Sequence, residues 1–377
     1  MKKIKSATGK KILLSDLKRE GPGVRKKALD AVKRVIDKGW YILGPELENF
    51  EKEFASYCGS SYAVGVASGT DALRLSLEAL SIGEGGEVIT AVNTAIPTAM
   101  AILSAGAVPR FVDVEEKTLN IDANKIGKAV TSKTKAVIPV HLYGNPCDME
   151  GVLKTARKYR LAVIEDACQA HGAVYKGRKA GTLGSLGAFS FYPTKNLGCY
   201  GDGGMIVTGD GGLARRLKLL RNYGQPTRYL CETEGVNSRL DEIQAAVLRV
   251  KLGQLDRLNR RRIQIASLYT RHLGRIDGIR VPAVCGTSKH VFHLYVIECE
   301  KRERLMDYLS KEGIETQVHY PLCLHLQKAF KYLGYREGDF PVAERASSRI
   351  LSLPVFPALK DNEVLKICGL IKKFYRR

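Results

Sequence analysis

Between about residue 45 and residue 250, short apolar runs alternate with segments patterned as helices, and no other feature of this chain restricts its fold as tightly. The runs are Ala63–Ala67, Glu87–Thr90, Pro109–Asp113, Ala136–Val140, Leu161–Glu165, Gly187–Phe191 and Gly204–Thr208, with helical patterns such as Asp71–Leu80 and Met149–Tyr159 between them. Alternating strands and helices imply an α/β fold with a mostly parallel central sheet and helices on both faces. Only a short Gly-rich stretch separates the last two runs. That is too short for a helical crossover, so one edge of the sheet is expected to be antiparallel. A long basic amphipathic segment, Leu240–Tyr269, then leads into a restart of the pattern: a strand at His293–Ile297, a helix at Arg302–Lys311 and a strand at Gly313–Val318. We therefore divide the chain into a large body with an N-terminal arm, residues 1–250, and a smaller C-terminal α+β domain, residues 251–377.

Composition narrows the function classes. The chain has 377 residues, 13 of them proline, with no low-complexity tract. The basic start, Met1–Ser6, is followed by no apolar stretch of a secretory signal, and no run approaches the ~20 apolar residues of a membrane helix, so a soluble cytoplasmic protein is expected. The nine cysteines, Cys285 among them, are odd in number and show no C-x-x-C pair, which reads as reduced structural thiols. The histidines form no metal-ligand pattern. A net charge of +21, concentrated in Arg215–Arg221, Arg249–Arg262 and the Lys372–Arg377 end, is compatible with nucleic acid. It equally suits a solvated basic surface that attracts small anions, and no nucleic-acid motif accompanies it.

Ligands of open α/β sheets bind beyond the carboxyl ends of the strands, and three such ends carry unusual residues. Ser68-Gly69-Thr70-Asp71 follows a strand and opens a helix. The N–H groups of Gly69, Thr70 and Asp71 there form an anion site, unless Ser68 or Thr70 merely caps the helix. Glu165-Asp166 ends an apolar strand ahead of Ala167-Cys168-Gln169. A carboxylate drawn inside needs a cationic partner or several donors, and one turned to solvent needs neither. Lys195 lies just past the Gly187–Phe191 run, where burial would lower its pKa and make its amine nucleophilic; a solvated lysine is the plain alternative. Gly201–Gly204 precedes a strand and so is not a dinucleotide fingerprint. An anion cup, a buried acid and a shielded lysine on one sheet edge are together what pyridoxal phosphate requires.

The runs Ser68–Leu73, Glu165–Ala173, Ser190–Gly198 and Gly235–Ala246, with Gly44-Pro45, Val140–Gly144 and His319–Pro321, resemble the DegT-type sugar aminotransferases, in the same order from about Leu14 to Leu370. The resemblance implies a type I aminotransferase fold, a homodimer with composite active sites, and pyridoxal 5'-phosphate as cofactor. It makes Lys195 the catalytic Schiff-base lysine, Asp166 the partner of the pyridinium nitrogen and Gln169 that of the ring hydroxyl. Gly69, Thr70 and Ser190 become the phosphate holders, with Asn237 reaching the neighbouring subunit's phosphate. Family members often carry an aromatic residue after Asn-Thr; Ala95 follows Asn93-Thr94 here, so no ring-stacking residue is assigned. Family habit also implies an amino-acid donor, glutamate, and a nucleotide-diphosphate-linked keto sugar as acceptor. The Leu220–Gln225 stretch is more like members that aminate C3 than C4, unless Arg221 and Tyr223 serve packing alone. The alternatives are a keto-cyclitol aminotransferase and a basic nucleic-acid-binding regulator retaining the fold. Sugar dehydratases of the superfamily carry histidine where Lys195 stands, which argues against that activity.

Overall fold

The computed structural model describes residues 11–284 and 288–376; the basic start Met1–Ser6, Cys285 and Arg377 lie outside the described residues. Helices α1 (Pro22–Lys38) and α2 (Pro45–Cys58) lead into β1 (Tyr62–Val66), α3 (Gly69–Ala79), β2 (Glu87–Ala91), α4 (Ile96–Ser104) and β3 (Val108–Val112). Then follow α5 (Ala123–Ala129), β4 (Thr134–Ile138), α6 (Met149–Tyr159), β5 (Ala162–Asp166), a ribbon of β6 (Val174–Tyr175) and β7 (Arg178–Lys179), β8 (Leu186–Ser190) and β9 (Gly204–Thr208). The seven expected strands form one sheet in the order β1-β9-β8-β5-β4-β2-β3. Pairing is parallel from β8 through β5, β4 and β2 to β3. Strand β9 runs antiparallel to both β8 and β1. The antiparallel strand is thus second from the edge rather than at it. The short β8–β9 link forces a reversal, and β1 then adds outside β9.

Apolar side chains fill both faces of the sheet. Val64, Leu73, Ile138, Ile164 and Ile206 pack with α3 on one face. Ala63, Phe189, Met205 and Val207 pack with α2 and α8 on the other, because successive strand residues point to opposite sides.

After β9 come α7 (Gly211–Leu220), α8 (Glu242–Leu252) and α9 (Leu255–Leu273). The expected single segment Leu240–Tyr269 is therefore two helices, parted at Gly253-Gln254. Helix α8 buries Ala245 and Leu248 on the large body. Helix α9 turns Ile265, Tyr269 and Leu273 into a second core, and glycine at the junction is the weakest helix former short of proline. A three-stranded sheet, β10 (Ile279–Arg280), β12 (Tyr295–Cys299) and β13 (Ile350–Leu353), covers that core. Strand β11 (Ser288–Lys289) joins the β6–β7 ribbon, and α10 (Arg302–Lys311), α11 (Pro341–Ser347) and α12 (Asp361–Tyr375) complete the chain.

The strand expected at His293–Ile297 begins two residues later, since His293 packs beside the site described below. Gly313–Val318 is no strand of the sheet; Ile314 pairs singly with Ile12 and Gln317 with Ser352. Ile12 is buried in the second core, which anchors the N-terminal arm there. Among the described residues no helix is long and apolar enough to cross a membrane.

Candidate active site

Strand β5 ends in two acids with different fates, set by the alternation of side chains along a strand. Glu165 is fully buried and satisfied by the fold. It accepts from the N–H groups of Gly181 (2.8 Å), Leu183 (2.5 Å) and Gly184 (2.7 Å), and lies 2.8 Å from His141 Nε2. His141 Nδ1 accepts from the Cys147 N–H, so Nε2 carries the ring proton and donates to Glu165. Asp166 points the other way. It too is buried, yet it accepts only from the Thr98 hydroxyl (2.9 Å) and the Cys168 N–H (3.2 Å) among the described residues. A buried carboxylate accepts up to four bonds, so it retains capacity for a cationic N–H.

Three residues further, Gln169 accepts from the Tyr143 N–H at Oε1 (2.6 Å), which fixes the amide so that Nε2 is the free donor. Nε2 donates one hydrogen to the Tyr320 hydroxyl at 3.2 Å and keeps a second. The Tyr143 hydroxyl in turn donates to the His319 carbonyl. Burial pushes the Tyr320 phenol up to about 12, so it stays protonated at neutral pH.

The anion cup sits against the same strand ends. Gly69 opens α3, and a Cβ on it would lie 2.6 Å from Ser190 Cβ and 2.9 Å from Cys168 Sγ. A Cβ on Gly204, in β9, would lie 2.2 Å from the Ser68 carbonyl. Only glycines allow the three segments to converge this closely. Ser68 does cap the helix, accepting from the Asp71 N–H at 3.1 Å, so the Asp71 N–H is not free as expected. Those of Gly69 and Thr70, at the first turn, find no partner among the described residues and remain for an anion. The residues present therefore fit pyridoxal phosphate: a cup with free N–H groups, an acid with spare capacity and a free amide donor.

Lys195 lies in the link between β8 and β9. Burial lowers the pKa of its ammonium, while Cys168 and Asp166 nearby partly offset the shift. Its own charge helps to depress His171 and His319, burial being the larger cause; they fall to about 3 and about 4 and are neutral at pH 7. The structure thus brings together Gly69, Thr70, Asp166, Gln169, Ser190 and Lys195.

Asn237 is different. Its side chain is exposed and makes no hydrogen bond among the described residues, while its backbone pairs with Asn222. The next residue, Ser238, holds the cup from behind, donating to Asp71 Oδ2 (2.7 Å) and accepting from the Ala67 N–H (3.1 Å). Arg221 is buried and pairs with Glu51 and the Gly65 carbonyl, which makes it a packing residue. Three site residues had no role assigned from sequence: Thr98, Tyr143 and Tyr320. For the last two the signal was present, because both lie in the family-like runs Val140–Gly144 and His319–Pro321.

A model of the DegT/DnrJ/EryC1/StrS aminotransferase family matches residues 22–372. The dTDP-3-amino-3,4,6-trideoxy-alpha-D-glucose transaminase of Streptomyces venezuelae is 45% identical over 362 residues, covering 96% of each chain. The dTDP-3-amino-3,6-dideoxy-alpha-D-galactopyranose transaminase of Aneurinibacillus thermoaerophilus is 46% identical, over 95% of this chain and 98% of its own. The crystal structure of S. venezuelae DesV in complex with a ketimine intermediate superposes with a TM-score of 0.95 at 45% identity, covering 97% of this chain and 99% of that one.

Proposed function

The chain belongs to the DegT/DnrJ/EryC1/StrS aminotransferase family, sugar aminotransferases that use pyridoxal phosphate, and from that premise we propose that it is a cytoplasmic homodimer moving an amino group from glutamate to C3 of a nucleotide-diphosphate-linked keto sugar. The observation that carries the reading is the convergence of Lys195, Asp166 and Gln169 beside the Gly69–Ser190 cradle.

In this proposal the N–H groups of Gly69 and Thr70 and the Ser190 hydroxyl hold the cofactor phosphate. Asp166 keeps the ring nitrogen protonated, and the free Gln169 Nε2–H donates to the ring oxygen. When bound, the cofactor supplies a sink for carbanion charge. Lys195 would hold the cofactor through Nζ, and the same amine, when free, would take a proton from the donor's α-carbon and carry it across the site. A lowered pKa leaves more of the amine unprotonated and able to accept it.

Support for C3 comes from the two transaminases above, both named for 3-amino sugars. The test is a panel of 3-keto and 4-keto nucleotide sugars, with thymidine and uridine heads, and a keto-cyclitol, each with glutamate. A ketone displaced by one carbon misses Lys195 by more than 1 Å, so kcat/KM for the 3-keto compounds should lead by about 100-fold. Turnover confined to the 4-keto sugars would reverse the C3 assignment. Turnover confined to the cyclitol would remove the nucleotide.

The homodimer is supported by two surfaces. Asn237 points outward while Ser238 grips its own cup, which suits an amide that serves a neighbour's phosphate. Such a charge-assisted bond contributes about 1.5–3 kcal/mol. Leu29 (61% exposed) and Ile36 (53%), seven apart on α1, and Trp40 (58%) just beyond that helix are exposed apolar side chains that a second copy would cover. Mixing Lys195→Ala with Asn237→Ala protein places both defects in one site of a heterodimer and leaves the other intact. After subunit exchange, activity should rise to about a quarter of wild type, since half the dimers carry one good site. With both parents impaired and exchange verified, no rise would show that sites are not shared.

A further inference from the structure

A cleft opens behind the Lys195 loop. Lys195 and Asn196 form one wall, Arg257, Leu258 and Arg262 of α9 another, and the N-terminal arm closes the third side. Its acids are already engaged: Glu20 pairs with Lys251 at 2.8 Å, and Asp16 accepts from the Lys18 N–H at 3.1 Å. Arg19, on the same arm, is paired with Glu363 at 2.8 Å.

Arg262 is not paired. It is only 5% exposed, and no carboxylate lies within ion-pair distance of it among the described residues. Its three hydrogen bonds all leave from Nη1, to the carbonyls of Phe292 (3.3 Å), His293 (3.4 Å) and Val355 (2.7 Å). Nε and Nη2 make none, and the side chain lines the cleft. Burial alone lowers its pKa to about 10, with no acid to raise it, and it is still a cation at pH 7. A buried guanidinium without a carboxylate is costly, and the N–H groups on Nε and Nη2 are left for an acceptor that enters the cleft. Burial, and then the charges of Lys195 and Arg262, depress His293, so both cations lie near that ring.

Resting on the amino-transfer reading for the identity of the ligand, we infer that Arg262 is the carboxylate-binding residue for the amino donor, holding glutamate by Nε and Nη2 in the cleft beside Lys195. A planar guanidinium with two adjacent N–H groups free matches a carboxylate two-pronged. The site selects an anionic donor over a neutral amine.

Glutarate, which has both carboxylates and no amine, probes the subsite without turnover. Calorimetry on the cofactor-loaded protein should show glutarate binding that weakens roughly 10- to 100-fold in Arg262→Gln. The KM for glutamate should rise by a similar factor, with kcat at saturation changed far less. Because Nη1 also ties three carbonyls, Arg262→Gln is capable of unfolding the protein. Arg262→Lys keeps a cation there, and Leu258→Glu sets a carboxylate on the half-buried cleft wall; each should weaken glutarate at least several-fold. Equal glutarate affinity in wild type and the folded variants, with normal amination of a keto sugar, would overturn the donor site and leave the amino-transfer reading intact. Arg262-dependent glutarate binding in a protein that aminates no sugar would do the reverse.

Discussion

Replacing Lys195 by alanine is expected to abolish the visible absorbance of the covalently held cofactor and nearly all turnover. Two losses combine. The amine that bonds the cofactor aldehyde is gone, and so is the group that carries the proton at the donor's α-carbon. The second alone is worth roughly 10²- to 10⁴-fold in rate. The site offers no ready substitute: His171 and His319 are depressed to about 3 and about 4 by burial and the Lys195 charge, and they hold the ring nitrogen lone pairs too weakly basic for the task at pH 7. The fold should survive, because the variant removes a buried cation whose desolvation the native protein bears. Absorption spectra before and after borohydride, and single-turnover assays with glutamate, check both losses. A variant that kept the band and the rate would remove Lys195 from the mechanism.

Changing Asp166 to asparagine is expected to lower kcat by roughly 10²- to 10⁴-fold while the protein stays folded and Lys195 still holds the cofactor. A ring nitrogen without its proton is a weaker sink for carbanion charge, and a loss of that size in rate corresponds to about 3–5 kcal/mol in the barrier. The local geometry isolates the charge. An asparagine Oδ1 still accepts from the Cys168 N–H, 3.2 Å from the native oxygen. Its Nδ2 then faces Thr98 Oγ1, which rotates to accept and passes its own hydrogen to Thr94 Oγ1, 3.1 Å away. Melting temperature should therefore move little. What is lost is the negative charge that keeps a ring nitrogen protonated. Steady-state rates beside thermal melts separate the two effects, and a rate within a few-fold of wild type would exclude Asp166 from that role.

The sequence by itself determined the α/β class and the seven strands of the large sheet, because both follow from local periods: apolar runs of strand length separated by helical spacing. It also marked the three strand ends that carry Gly69, Asp166 and Lys195, since a glycine opening a helix, an acid ending an apolar strand and a lysine past a buried run are visible in a few consecutive residues. Only the tertiary structure decided which of Glu165 and Asp166 faces the site. One residue of register turns a side chain to the other face, and the loop 181–184 that satisfies Glu165 arrives from elsewhere. The same holds for the partners: Thr98 meets Asp166 across 68 residues of chain, Tyr320 meets Gln169 across 151, and Ser190 rests on Gly69 because of the sheet order. The placement of β9 between β8 and β1 and the break between α8 and α9 were likewise set by which core each face found. That Arg262 is left without a carboxylate was invisible in its basic run, because charge pairing depends on distances between segments remote along the chain, and local pattern carries no information about them.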